Sequence, residues 1–463
     1  MPATPEPNLA AGQWSLRFDG GTLVLDGADP EDLPEGFVWD ARIGRARAPG
    51  SCWRSLYEAA AGQAFEDRAR GWTRLDSLRH LTSRPARRYQ DEAVDAWRKA
   101  GRRGVVVLPT GSGKTYVAER CIADTRRSTL VVVPTIDLLS QWYALLHAAF
   151  GVPVGILGGG HHEIEELTVT TYDSAAIHMD RLGARFGLVV FDEVHHLPAP
   201  GYLRASQAML APMRLGLTAT LERLDQRHDL LDDAVGPVVY RQEIPDLAGD
   251  YLAPYDVEVL NVSLSDAERL RYDQLRGQFR SFVDHNRIRL GGPDGWQLFL
   301  SVACRSKDGR AAIRAWRDSR EIMWSNERKL ELVQEIVTAE WGRPTLIFTN
   351  DNATALRISK LVLAPCITHR TELKERRAYI EAFATGELKV LVTSRVLNEG
   401  VDLPAAEVAI IVSGTSTVRE SVQRLGRILR PGPNKQATLY ELVAENTTEV
   451  QSSERRRSHD AYR

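Results

Sequence analysis

Short apolar runs recur along this chain, separated by stretches with helical spacing. Val105–Leu108, Thr129–Val133, Leu167–Thr170, Leu188–Phe191 and Arg214–Leu217 are each strand-sized and rich in β-branched or aliphatic residues. Near-continuous apolar runs predict strands buried on both faces, and their alternation with helices predicts a parallel sheet. A second set repeats the pattern at Pro344–Phe348, Lys389–Thr393, Val408–Val412 and Ala437–Leu442. Ahead of both, Leu16–Phe18, Thr22–Leu25 and Phe37–Arg42 are divided by Gly-Gly and Pro-rich turns, which predicts a small mixed segment. Between the two sets, Ser263–Ser325 lacks a strand pattern and reads as a helical insertion. The fold class is therefore α/β, with two parallel-sheet lobes, a small N-terminal mixed domain and a helical insertion. The expected divisions are 1–80, 81–241, a linker and entry to the second lobe at 242–262, the insertion at 263–325, the second lobe at 326–450, and a polar, disordered tail at 451–463.

A length of 463 residues suits two to four domains, and 43% hydrophobic with 26% charged residues is ordinary for globular protein. The net charge of −2 advertises no global attraction to polyanions, so any nucleic-acid surface must come from local clusters. Cys52, Cys121, Cys304 and Cys366 are far apart. That spacing argues against a zinc ribbon, a disulfide framework or a four-cysteine cluster. The longest apolar stretches are strand-sized and the N-terminus lacks a signal pattern, so the expectation is a cytoplasmic protein without a membrane span.

Candidate chemistry begins where the run Val105–Leu108 breaks into Leu108-Pro109-Thr110-Gly111-Ser112-Gly113-Lys114-Thr115. A strand, a glycine loop and a Lys-Thr pair opening a helix make a triphosphate site. The glycines let backbone N–H groups turn toward phosphate, Lys114 can reach the β- and γ-phosphates, and the Thr115 hydroxyl can hold Mg²⁺. Leu108 stands where the strict pattern has glycine. Downstream, the strand Leu188–Phe191 runs into Asp192-Glu193-Val194-His195. Asp192 can hold Mg²⁺ and Glu193 can polarise the water that attacks the γ-phosphate. No kinase signature set is present, so hydrolysis of ATP is the better reading. Two lobes with one phosphate loop place the other half of the site in the second lobe. There Gln423-Arg424-Leu425-Gly426-Arg427-Ile428-Leu429-Arg430 sets two arginines three apart, suited to neutralising charge on the transferred phosphoryl group.

The ordered motifs from Arg87 to Val443 resemble those of superfamily 2 helicases, which implies RecA-like lobes. Arg87-Arg88-Tyr89-Gln90 resembles the adenine-reading motif, with Gln90 as the base contact. Pro134-Thr135 and Thr170-Thr171-Tyr172-Asp173-Ser174 look like strand-contacting motifs of the first lobe. Thr218-Ala219-Thr220 looks like the motif coupling hydrolysis to lobe movement, and the resemblance gives His195 a similar role. Thr349-Asn350, the stretch Thr393–Asp402 with Gly400 and Asp402, and Gln423–Arg430 look like the motifs of the second lobe, Gln423, Arg427 and Arg430 being catalytic there. Within the superfamily the likeness is to XPB-type DNA helicases, particularly the short archaeal and bacterial forms. XPB proteins carry an Arg-Glu-Asp triplet implicated in opening DNA. Arg223 and Asp225 match its ends, and Leu224 replaces the acidic middle residue.

The resemblance implies an ATP- and Mg²⁺-dependent 3′-to-5′ helicase or translocase acting on DNA in repair. Residues 1–80 and 263–325 fall where the family has a damage-recognition domain and a thumb. Independently, the insertion interleaves arginines, Arg276, Arg280 and Arg287 among them, with Tyr272, Phe279, Phe282, Trp296, Phe299 and Trp316. The arginines can track phosphates. The aromatics are better read as the insertion's own core. His195 and His196 are adjacent and do not converge on one ion, and His161-His162 reads as loop, so no metal beyond Mg²⁺ is expected. Two rivals remain. One is another superfamily 2 duplex translocase. The other is an ATP-gated DNA-anchoring scaffold for a nuclease or repair-complex partner. The sequence carries no signal for oligomeric state.

Overall fold

The computed structural model describes residues 14–59, 65–220, 229–247, 251, 253–291, 295–394, 406–413 and 436–457. The chain forms two compact units, one of residues 1–108 and 113–242 and the other of residues 109–112 and 243–463.

The first unit opens with a five-stranded sheet of β1 (Trp14–Asp19), β2 (Thr22–Asp26), β3 (Val38–Asp40), β4 (Arg45–Pro49) and β5 (Phe65–Asp67), in the order β3-β4-β2-β1-β5. Gly20 and Gly21, at φ 56° and 78°, make the two-residue turn joining β1 to β2. Both φ values are positive, as a hairpin turn matching the strand twist requires. Leu16, Leu23, Leu25, Trp53 and Leu56 form this domain's core. The run expected at Phe37–Arg42 is a strand only over Val38–Asp40, and β4 and β5 are additional. In β4 the inward positions are Ala46 and Ala48, too small to stand out as an apolar pattern.

The large sheet of this unit contains β6 (Arg103–Val107), β7 (Thr129–Val133), β8 (Val154–Gly158), β9 (His161–Glu163), β10 (Leu167–Thr171), β11 (Leu188–Asp192), β12 (Met213–Thr218) and β13 (Val238–Arg241). Their order is β13-β6-β12-β11-β7-β10-β8-β9, with every pairing parallel except β8 with β9. The five strands expected from apolar runs are all present. His161-His162, expected as loop, instead pairs with β8 as an edge hairpin, its turn made by Gly159 and Gly160 at φ 61° and 92°. All three residues of β9 are exposed, so no apolar face marked it in the sequence. β12 carries Arg214, fully buried. Its guanidinium donates to Ala234 O and Met209 O (both 2.6 Å), to Ser206 Oγ (3.1 Å) and O, and to Ala211 O. Burial pulls its pKa down to about 9, and the acceptors collected around it are chiefly main-chain carbonyls.

The second unit holds a six-stranded, wholly parallel sheet of β14 (Tyr255–Val262), β15 (Thr345–Phe348), β16 (Cys366–Ile367), β17 (Val390–Thr393), β18 (Val408–Ile411) and β19 (Ala437–Ala444), in the order β14-β19-β18-β15-β17-β16. β14 occupies the end of the stretch 242–262, read as linker and entry to the second lobe, and its strand is not among those the sequence predicts. Its sequence, YDVEVLNV, alternates polar and apolar as a half-exposed edge strand does. Residues 263–325 carry the helices Asp266–His285, Gly295–Ala303 and Lys307–Ser325. Phe279 and Phe299 are buried there, and Trp296 packs on Phe299 (4.9 Å between centroids) and on Trp316 (4.5 Å). Phe279, Phe282, Trp296, Phe299 and Trp316 thus form the insertion's own core, whereas Tyr272 packs with Met323 and with Ala444 of β19. The tail is a correction, since Thr448–Arg457 is a helix. Glu449, near its start, pairs with Lys329 Nζ at 2.7 Å, and both side chains are buried. Among the described residues no helix is long and apolar enough to cross a membrane.

Candidate functional site

Leu108 continues the β6–β12 ladder by donating its N–H to Thr218 O (3.0 Å), so this position takes a side chain where the strict motif has glycine. The chain turns at Gly111 and Gly113, at φ 83° and 85°, left-handed conformations that cost other residues about 1 kcal/mol or more. Gly113 caps the helix Lys114–Thr125. A Cβ on Gly113 would lie 2.7 Å from Gln90 Nε2, so the adenine-motif glutamine rests directly on the loop. Gln90 Oε1 in turn accepts from Arg87 N (3.0 Å), and the Arg87 guanidinium donates to Tyr89 Oη (2.9 Å). Ser112 is buried and donates to Pro109 O (2.7 Å). Lys114 Nζ donates to Leu108 O (3.1 Å). The Thr110 hydroxyl is buried without a hydrogen-bond partner among the described residues. Such an orphan on a phosphate loop suits an anion's oxygen. Thr115 follows at the first turn of the helix, partly exposed.

β11 delivers Asp192 to its C-terminal end, 8% exposed. Its Oδ1 accepts from Glu193 N (3.0 Å) and its Oδ2 from Trp142 Nε1 (2.8 Å), while Tyr172 Oη donates to its carbonyl (3.0 Å). Burial raises the Asp192 pKa, and the Trp142 hydrogen bond and the Lys114 charge oppose the rise. The positive charge of Lys114 thus acts on the Asp192 carboxylate. Glu193 sits at φ 47°, a strained left-handed conformation for a residue with a side chain. Its Oε2 lies 3.4 Å from His195 Nδ1, which is 3.0 Å from Thr218 Oγ1. Thr218 Oγ1 also contacts Thr220 O (2.7 Å) and accepts from Thr220 N (3.2 Å). A continuous path thus links Glu193, through buried His195, to the Thr218-Ala219-Thr220 segment.

The threonines assigned to strand contact divide into two kinds. Thr135, half-exposed beside Pro134, caps the helix Ile136–Phe150 by accepting from Leu138 N (3.3 Å). Thr170, Thr349 and Thr393 are fully buried at strand ends, and their hydroxyls donate to Leu157 O, Asp351 O and Ser394 O. Those three hydroxyls brace the motif turns. Arg276, in the helix Asp266–His285, is half-buried over the Phe279 ring at 5.2 Å, with its Nε unpartnered among the described residues. Burial lowers its pKa. Arg280 is exposed one turn further along the same face, and exposed Arg287 lies just beyond the helix end at φ 52°. Arg223, Leu224, Asp225, Gly400, Asp402, Gln423, Arg427 and Arg430 lie outside the described residues.

Nothing in the sequence marks Trp142 or Tyr172 as bonding Asp192: Trp142 lies in no motif, and Tyr172 stands in the segment resembling a strand-contacting motif. The one available signal is general: a buried indole N–H or phenol O–H needs a partner.

Three family models match the chain. They are the type III restriction enzyme res subunit over 84–223, the helicase conserved C-terminal domain over 328–432, and the xeroderma pigmentosum group B helicase damage recognition domain over 16–69. A relative from Sulfurisphaera tokodaii, named DNA 3′-5′ translocase XPB2, is 43% identical over 80% of this chain and 84% of its own length. The DNA 3′-5′ helicase XPB of Kineococcus radiotolerans is 34% identical over 78% of this chain and 60% of its own length. That of Mycobacterium tuberculosis is 31% identical over 79% and 62%. The Pyrococcus furiosus Hef helicase domain shares the fold, with a TM-score of 0.50 and 19% identity over 79% of this chain and 97% of that one. The damage-recognition match at the N-terminus, the two helicase matches behind it and the 43% identity lead to one assignment: the chain belongs to the XPB family of superfamily 2 helicases.

Proposed function

We propose that this protein is an ATP-driven DNA translocase that moves 3′ to 5′ and opens duplex DNA in repair. The observation carrying the catalytic half is the glycine-turned loop that ends in Lys114 at a helix start, with buried Asp192 and strained Glu193 closing β11 in the same unit as Lys114. Backbone N–H groups of the loop, Thr110 Oγ1 and Lys114 grip the β- and γ-phosphates, and Gln90 reads the adenine. Thr115 and Asp192 fit Mg²⁺. Both are oxygen donors, and each Asp192 oxygen keeps lone-pair capacity beyond its single accepted hydrogen bond. When bound, that ion neutralises charge on the phosphate oxygens. Glu193 takes a proton from the attacking water as the new O–Pγ bond forms. The bond from Pγ to the bridging oxygen breaks, and ADP leaves. Arg427 and Arg430, with Gln423, stabilise the charge of the transition state, and Gly400 and Asp402 belong to the same nucleotide site. His195 carries the state of Glu193 to Thr218-Ala219-Thr220. Pro134, Thr135, Arg223 and Asp225 meet the strand.

ATP hydrolysis and strand displacement measured together on single-stranded, duplex, forked and bubble DNA test this reading. Hydrolysis stimulated by DNA with displacement of a forked strand supports it; hydrolysis indifferent to DNA overturns it. Leu224 favours a second reading, in which the motor grips and moves on DNA but separates strands poorly without a nuclease or repair-complex partner. An apolar side chain cannot accept the hydrogen bond an acidic residue would. Leu224→Glu is then expected to raise strand displacement by about tenfold, the worth of one charge-assisted hydrogen bond, with ATP turnover little changed. Lower displacement in that variant would make Leu224 a working part of the opening device.

The insertion supplies a grip. Changing Arg276, Arg280 and Arg287 together to Ala is expected to weaken DNA binding and make the slope of log K against log salt shallower by up to about 3. An unchanged slope returns these arginines to a merely solvated face.

A further inference from the structure

Two buried aromatics reach Asp192 from different helices. Trp142 lies on Ile136–Phe150, the helix capped by Thr135, and stands 2% exposed with its indole N–H on Oδ2 at 2.8 Å. Tyr172 is the first residue of Tyr172–Leu182, the helix capped by Thr171, and also stands 2% exposed, with its hydroxyl on the Asp192 carbonyl at 3.0 Å. One fixes the carboxylate and the other the main chain behind it. With Glu193 N on Oδ1, neither oxygen is free to rotate to a new partner without breaking a hydrogen bond. Both donors begin from segments at the same end of the sheet. β7, which adjoins β11, leads into Thr135, and β10, on the far side of β7, leads into Thr171. Trp142 lies seven residues beyond Thr135, about 10 Å along a stiff helix. Tyr172 adjoins Thr171 in sequence.

We propose that Trp142 and Tyr172 are positioning residues for Asp192, through which strand binding at the Thr135 and Thr171 segments is transmitted to the metal-holding carboxylate. The proposal rests on the reading of Asp192 given above. A strand that shifts either helix along its axis moves a donor on Asp192 directly. No intermediate side chain is needed. Groups that orient a metal ligand in this way are worth about 10–100-fold in metal affinity.

The test uses the full chain and two readouts. The first is the Mg²⁺ concentration giving half-maximal binding of a fluorescent, non-hydrolysable ATP analogue, which involves no turnover. The second is the factor by which a forked DNA stimulates ATP hydrolysis. Trp142→Phe keeps one aromatic ring and removes the donor together with part of the indole's buried volume, so Tyr172→Phe is measured beside it. Trp142→Phe is expected to raise the half-maximal Mg²⁺ concentration about tenfold and to reduce the DNA-stimulation factor. Native values for both overturn the proposal, and a shifted Mg²⁺ titration with a native stimulation factor overturns the coupling. If Trp142→Phe fails to fold, Tyr172→Phe, which removes a single oxygen, decides on the same criteria. Asp192→Asn separates the two levels of the argument. If it leaves the Mg²⁺ titration native, the assignment of Asp192 itself fails; if it abolishes Mg²⁺ dependence while both aromatic variants behave as native, only the positioning role fails.

Discussion

Glu193→Gln is expected to lower ATP turnover by about 10²–10⁴-fold, the usual worth of a general base, while nucleotide still binds. The substitution preserves size and the left-handed turn at φ 47°, and removes only the ability to take a proton. Its neighbour Asp192 keeps the hydrogen bond from the residue-193 N–H, so the phosphate side of the site stays intact. Lys114→Ala should also abolish turnover, but by weakening nucleotide binding too, because its ammonium stands on the loop at the Leu108 carbonyl, where a phosphate would take it up. Single-turnover hydrolysis beside equilibrium binding of ATP distinguishes the two. Near-normal hydrolysis by either variant would falsify the active-site assignment. The Gln variant adds a further check. If the Glu193–His195–Thr218 path carries information, DNA affinity should lose its dependence on bound nucleotide, since Gln can offer His195 an amide in place of a charge.

The catalytic half of this site was legible in the sequence because its chemistry is local. Glycines at 111 and 113, the lysine after them and a carboxylate pair ending a buried strand announce themselves within a few residues. Leu108, the apparent defect, proves to be a strand residue with a ladder hydrogen bond. Trp142 and Tyr172 were not legible, because what distinguishes them is a partner 50 and 20 residues away. The same division holds for the fold. Strands covered on both faces, such as β7 and β11, read as unbroken apolar runs. β4, β9 and β14 did not, since each has one face of alanine, of polar groups or of open solvent. Arg214 illustrates the limit most sharply. A guanidinium inside a parallel strand contradicts the apolar pattern, and only the carbonyls converging from Ser206, Met209, Ala211 and Ala234 explain it.

The C-terminal helix makes the second large prediction. The stretch from Gln451 is polar enough to read as disordered, yet the helix Thr448–Arg457 that carries its start is anchored by a charge pair inside the second unit. Lys329 Nζ donates to Glu449 Oε2 and to Val412 O, both at 2.7 Å, and Glu449 Oε2 also accepts from Ala444 N (2.8 Å). Lys329 is fully buried and Glu449 is 1% exposed. Taking two charges out of water is costly, so the pair as a whole adds little net stability; losing one member is another matter. Lys329→Met fits the same space, leaves the Glu449 charge in the interior and removes the donor to Val412 O. The expected cost is about 3–5 kcal/mol to the second unit, read as a lower urea midpoint for that unit. The double variant Lys329→Met with Glu449→Gln should recover part of the loss. It removes the uncompensated charge and keeps an oxygen acceptor for Ala444 N–H. Protease cleavage within 448–457 should appear in the single variant and diminish in the double. A single variant as stable as the native protein would mean that the helix is held by its other contacts, and that this buried pair does not fix the end of the chain.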